Sequence, residues 1–101
     1  MDWTEFSRSL GGELPPAQLD APLIALWHIA RGETARAEEI LRTYEGEPSA
    51  DWVRAHLART TGDDSAAARL YASAERPMPT GSAEDERRGI AEELLGRLVI
   101  R

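Results

Sequence analysis

The chain has 101 residues, enough for one domain with a core of its own. It contains no cysteine, which excludes disulfides and thiolate metal sites. Its 18 acidic residues stand against 12 basic ones, all arginine, and the resulting net charge of −6 opposes binding to nucleic acid or anionic lipid.

Helical periodicity alternates with glycine and proline punctuation, and no segment alternates with period two, so the expected fold is all-α. The first helix covers Asp2 to Leu10, capped by Asp2, ended by Gly11-Gly12, with Trp3, Phe6 and Leu10 on one face. Glu13 to Leu19 reads as a loop with one helical turn opened by Pro15-Pro16. The second helix runs from Ala21 to Arg31 under an Asp20 cap, burying Leu23, Leu26, Trp27 and Ala30. Gly32 follows as its left-handed terminator. The third helix, Thr34 to Tyr44, turns Ala37, Ile40, Leu41 and Tyr44 inward and stops at Gly46-Glu47-Pro48. Ser49 caps a fourth helix, Ala50 to Thr61, with Trp52, Val53, Ala55 and Leu57 apolar and Gly62 as its stop. Asp63 or Asp64 caps a fifth, Ser65 to Glu75, carrying Ala67, Leu70, Tyr71 and Ala74 inward. After the Arg76–Pro79 break, Ser82 opens a last helix from Ala83 to near the end, with Ser82 and Asp85 placed as in a capping box.

Aligning Gly32 with Gly62 superposes two helix–turn–helix units at a spacing of 30 residues. Ala25 then falls on Ala55, Trp27 on Leu57, Ala37 on Ala67, Ile40 on Leu70 and Leu41 on Tyr71. Small residues at the crossings let paired helices approach, and large ones fill the space beside them. The second unit's Ala55, Gly62-Asp63, Ala67, Tyr71, Ala74 and Pro79 resemble the tetratricopeptide repeat, as do Ala25, Gly32-Glu33, Ala37, Leu41 and Pro48 of the first. The resemblance spans residues 21–79, with a period shorter than the family's and without its tryptophan and tyrosine in register. It implies two antiparallel hairpins, residues 21–48 and 49–79, closed by flanking helices that include residues 82–101, in one helical domain. The pattern of Leu26, Trp27, Ala30, Gly32, Glu33, Trp52, Ala55, Leu57, Arg59, Gly62, Asp63, Ala67 and Tyr71 is also similar to that of a group of small bacterial proteins with no established activity.

Candidate sites are few. His28 and His56 each lie in the first helix of a hairpin, so the stacking of those helices would bring them near one another. A two-histidine metal centre would want a carboxylate as a third ligand. Neither helix supplies one at i+3 or i+4, and Arg31 and Arg59, three residues after each histidine, would repel a cation. No metal and no cofactor are therefore expected. No nucleophile motif or phosphate loop is present, and Glu38-Glu39, Asp63-Asp64 and Glu92-Glu93 diverge as neighbours on a helix must, so no enzyme is expected. The most specific polar and aromatic set is His28, Arg31, Trp52, His56 and Arg59. It is similar to the inner-helix face on which tetratricopeptide proteins hold peptide tails, and the arginines suit bidentate binding of a carboxylate. Pairing of those arginines with the chain's own acids, and core packing of the tryptophan, is the plainer reading of the same residues.

In the last helix, Ile90, Leu94 and Leu98 form one stripe and Ala91, Leu95 and Val99 the next. Such a face can dock over the end of the second hairpin, form a homodimer or partner seam through Ile90, Leu94 and Leu98, or do both at once. The leading expectation is a non-enzymatic interaction or scaffold protein with a protein or peptide partner. The alternative is a small-molecule or metal-binding accessory protein using the His28/His56 face. No run of ~20 apolar residues exists to span a membrane, and Met1 to Phe6 lacks the order of a signal peptide, so the expected location is the cytoplasm. Abundant alanine and arginine without lysine matches a bacterial genome of high GC content.

Overall fold

A computed structural model describes residues 1–99 of the chain. It is all-helical: α1 (Trp3–Ser9), α2 (Ala21–Ala30), α3 (Thr34–Arg42), α4 (Pro48–Thr61), α5 (Asp64–Ser73) and α6 (Ala83–Val99). Residues 100 and 101, the end of the expected last helix, lie outside the described residues, as does the side chain of Val99.

Local chemistry sets the boundaries. Asp2 and Glu5 cap α1 reciprocally, each carboxylate accepting from the other's backbone N–H. Asp20 caps α2, Asp63 caps α5 and Ser82 Oγ accepts from Asp85 N at the start of α6. The start of α4 differs from expectation. The helix begins at Pro48, where fixed φ and a missing N–H suit the first turn, and Ser49 lies inside it, accepting from Arg97 Nη1. Glu33 stands at the cap position of α3 without capping it. α2 ends at Gly32 and α4 at Gly62, both with φ near +80 to +90°. In each case the following N–H reaches back across the turn, Glu33 N to His28 O and Asp63 N to Ala58 O.

Packing is pairwise and then layered. α2 lies against α3 and α4 against α5, while α2, α4 and α6 meet one another and α1 rests on α6. α2 is central: Leu23, Ala25, Leu26, Trp27 and Ile29 are all buried, so it is apolar nearly all round rather than along a stripe. Ile29, not Ala30, completes its buried set. The main core joins these residues to Phe6, Leu41, Val53 and Leu57, and a second cluster of Ala55, Ala58, Ala67 and Tyr71 closes the α4–α5 crossing. Of the residues expected inward on α3 and α5, Ile40 and Leu70 are only half-buried, and Tyr44 is exposed because α3 ends before it.

The residues of the expected dimer seam pack within the single chain. Ile90 and Leu94 are 0% and 4% exposed within the single chain, packed with Ala91 and Leu95 into the main core, and Leu98 packs partly against it. The apolar face of α6 is thus directed at its own hairpins. No helix among the described residues is long and apolar enough to cross a membrane.

Candidate functional site

The five residues singled out in the sequence fall into three separate networks. At the end of α2, His28 Nδ1 lies 2.7 Å from Glu33 Oε1, and Arg31 Nε donates to the same oxygen at 3.2 Å. An ionised carboxylate only accepts, so Nδ1 carries the proton. Hydrogen bonds from His28 and then Arg31 hold the Glu33 carboxyl below the usual carboxylate range. This is why Glu33 does not cap α3. Arg31 also donates through Nη1 to the carbonyls of Leu10 and Gly12 and lies 4.4 Å from the centre of the Trp27 ring. It thereby ties the loop after α1 to the end of α2.

The second network repeats this plan with a distant carboxylate. His56 is fully buried, and its Nδ1 lies 2.8 Å from Oε1 of Glu86 in α6. Arg59 Nη1 donates to the same oxygen at 3.1 Å, and the Arg59 guanidinium also donates to the Gly81 and Ser82 carbonyls. Tyr71 OH donates to Glu86 Oε2. Arg87 Nε approaches His56 Nε2 at 3.3 Å. A guanidinium cannot accept, so Nε2 is the acceptor and Nδ1–H donates to Glu86. Burial alone would raise the Glu86 pKa, but the bonds from His56, Tyr71 and Arg59 outweigh it and hold the group low. Burial, and then the bond to Glu86, push the Tyr71 hydroxyl well above its ordinary value.

Trp52 belongs to a third network. Its ring is half-buried beneath Arg76, 3.9 Å from the ring centre, and Arg76 binds both oxygens of Glu93. Trp3 lies under Arg88 in the same manner, so each of the three tryptophans carries an arginine on its face. These contacts are internal. No buried side-chain nitrogen or oxygen among the described residues lacks a partner. His28 and His56 each have a glutamate of their own, and no group of three or more metal-ligating side chains converges among the described residues.

Sequence reasoning missed Glu86 and Asp51. Each sits in the first turn of a helix, where an acid is already explained by the helix dipole. Asp51 is nonetheless buried, accepting from Gly46 N at 3.2 Å and Ser73 Oγ at 2.9 Å. It joins the loop before α4 to the end of α5.

An open concavity lies elsewhere among the described residues. α3 and α5 both pack on α4. Between them runs a groove with two adjoining cavities of about 300 and 380 Å³. Leu41, Leu57, Ala58 and Leu70 line the first, while Arg54, Ala66 and Leu70 are common to both. Arg42 lines the first cavity and Arg69 the second. None of the five sequence-selected residues lines either one. The half-burial of Leu70 follows from this: it forms part of a floor facing solvent. Comparison with protein-family models, with curated proteins and with solved structures finds no match.

Proposed function

We propose that the chain is a non-enzymatic protein–protein interaction module, and that its α3–α5 groove receives a peptide segment of a partner protein. The observation that carries this reading is the groove itself, a concavity whose first cavity is floored by Leu41, Leu57, Ala58 and Leu70. Its cavities fall within the ~300–1,000 Å³ of ordinary ligand sites. Apolar contact area with a few placed charges is the composition that peptide grooves use. In the same reading the module works in the bacterial cytoplasm, in keeping with its composition and its lack of cysteine.

The test is selection from a random dodecapeptide display library on the immobilised full chain. Enriched peptides should bind the wild type and the loop variant Leu14→Ser alike. They should lose binding to Ala66→Arg, which fills the junction of the two cavities, and to Thr61→Arg at the rim of the first. Circular dichroism of each variant verifies the fold. A library that returns no binder, or only binders indifferent to both arginine variants, would overturn the reading.

A further inference from the structure

The arginines of this chain are unevenly partnered. Arg31, Arg36, Arg59, Arg76, Arg88 and Arg97 each have a carboxylate within 3.5 Å, and Arg87 bonds to His56. In a chain with 18 acids, an arginine without such a partner needs a reason. Among the described residues Arg8, Arg42 and Arg69 have none, and two of these three line the groove. Arg54 lines both cavities, and its ion pair with Asp51 is long, at 3.7 Å. Asp51 is already bound through both oxygens, to Gly46 N and to Ser73 Oγ. Three helices thus each send one arginine to the groove: Arg42 from α3, Arg54 from α4 and Arg69 from α5.

The acids along the same groove are Glu38, Glu45, Asp51 and Asp63. Asp63 is engaged as the cap of α5 and Asp51 as described. Glu38 and Glu45 stand on α3 or just after it, about one helical turn to either side of Arg42. They leave Arg69 of α5 without a carboxylate and Arg54 of α4 with only its long pair to Asp51.

Resting on the peptide-groove reading, we infer that the partner segment is acidic: an apolar side chain seated in the first cavity, with carboxylates at Arg42, Arg54 and Arg69. Leu57, Ala58 and Leu70 give the apolar side chain a floor. Guanidinium groups give the carboxylates bidentate, charge-assisted hydrogen bonds. Glu38 and Glu45 repel a segment whose acids fall outside that pattern, which gives register as well as affinity. Nucleic acid, the other polyanion, meets a molecule of charge −6 and a floor without aromatic side chains on which bases could stack.

The test uses three synthetic peptides of one apolar pattern, whose polar positions are glutamate, glutamine or lysine. Fluorescence anisotropy measures their affinity for the full chain, for Arg42→Glu, for Arg69→Glu and for the double variant. Both arginines are exposed, so these variants should fold. The glutamate peptide should bind wild type at least tenfold tighter than the glutamine peptide and weaken as salt rises. Each single variant should weaken it about tenfold, and the double variant should prefer the lysine peptide. Equal binding of the glutamine peptide, or acid binding unchanged in the double variant, overturns the inference. So does a single-stranded oligonucleotide that displaces the peptide, or self-association of the chain lost in the double variant. A display library rich in groove binders without acids sinks the acidic partner alone; a library without groove binders removes the groove reading beneath it.

Discussion

Gly32, Gly62 and Glu75 share one backbone state, with φ of +80°, +87° and +58°, each just beyond a helix end. The two glycines were legible, because glycine after a helical period is the usual terminator. Glu75 was not, since a glutamate there reads as one more helical residue. The bond from Arg76 N to Tyr71 O shows that it closes α5 as the glycines close α2 and α4. A Cβ at Gly62 would meet no atom within 4 Å, so its replacement by alanine carries a conformational cost alone. Gly62→Ala should destabilise by about 1 kcal/mol, and Glu75→Gly should stabilise by about the same. Urea midpoints at constant m would show both. A destabilised Glu75→Gly protein would mean that the glutamate side chain contributes more than its backbone strain removes.

At the scale of elements, α6 is anchored by Glu86, which joins it to α4 through His56 and Arg59 and to α5 through Tyr71. The native pKa of Glu86 is depressed, so its contribution is present above the unfolded carboxyl range near 4.5 and is lost as pH falls through the native value. Stability of the wild type should therefore fall below about pH 4.5. Glu86→Gln should be weaker by about 1.5–3 kcal/mol at pH 7 and show a shallower acid limb. Tyr71 has the opposite sign. Its native pKa is raised, so its contribution holds below about pH 10 and is lost as pH rises further. Tyr71→Phe should be less stable at neutral pH and lack part of the alkaline slope. Denaturant titrations from pH 3 to 11 measure both limbs, and unchanged slopes in the two variants would remove Glu86 and Tyr71 as their source. The helices themselves were readable because caps, glycines and apolar spacing are local signals. The anchor was not, because Glu86 lies 30 residues from His56 and an acid in a first turn is already accounted for. Arg31 and Arg59 were recognised as carboxylate binders, but their spacing could not say whose carboxylates they hold. The groove was missed for a related reason: Arg42 and Arg69 lie on helix faces that sequence alone marks as solvated.

The whole molecule turns on where α6 points its apolar face. Two stripes in the sequence left two destinations, the chain's own hairpins or a second copy. Ile90, Ala91, Leu94 and Leu95 are all less than 5% exposed, against a core built with Phe6, Leu23, Leu26 and Val53. A residue already surrounded on its own chain has nothing left to offer across a two-fold axis. Among the described residues, the exposed large apolar side chains, Leu14, Tyr44 and Met78, are separate in sequence and fall on loops and turns. The chain should therefore scatter light as a monomer at tens of micromolar. Leu94→Glu would place a carboxylate among apolar side chains with no donor of its own, a cost of several kcal/mol against the ~5–15 that hold a domain together. That variant should lose its helical signal and cooperative melting, whereas Leu98→Glu, half-buried near the helix end, should lose less and Leu14→Glu should change stability by under about 0.5 kcal/mol. A dimeric wild type together with a folded, monomeric Leu94→Glu protein would reverse the assignment, because only a side chain removed from its own core could carry the charge and keep the fold.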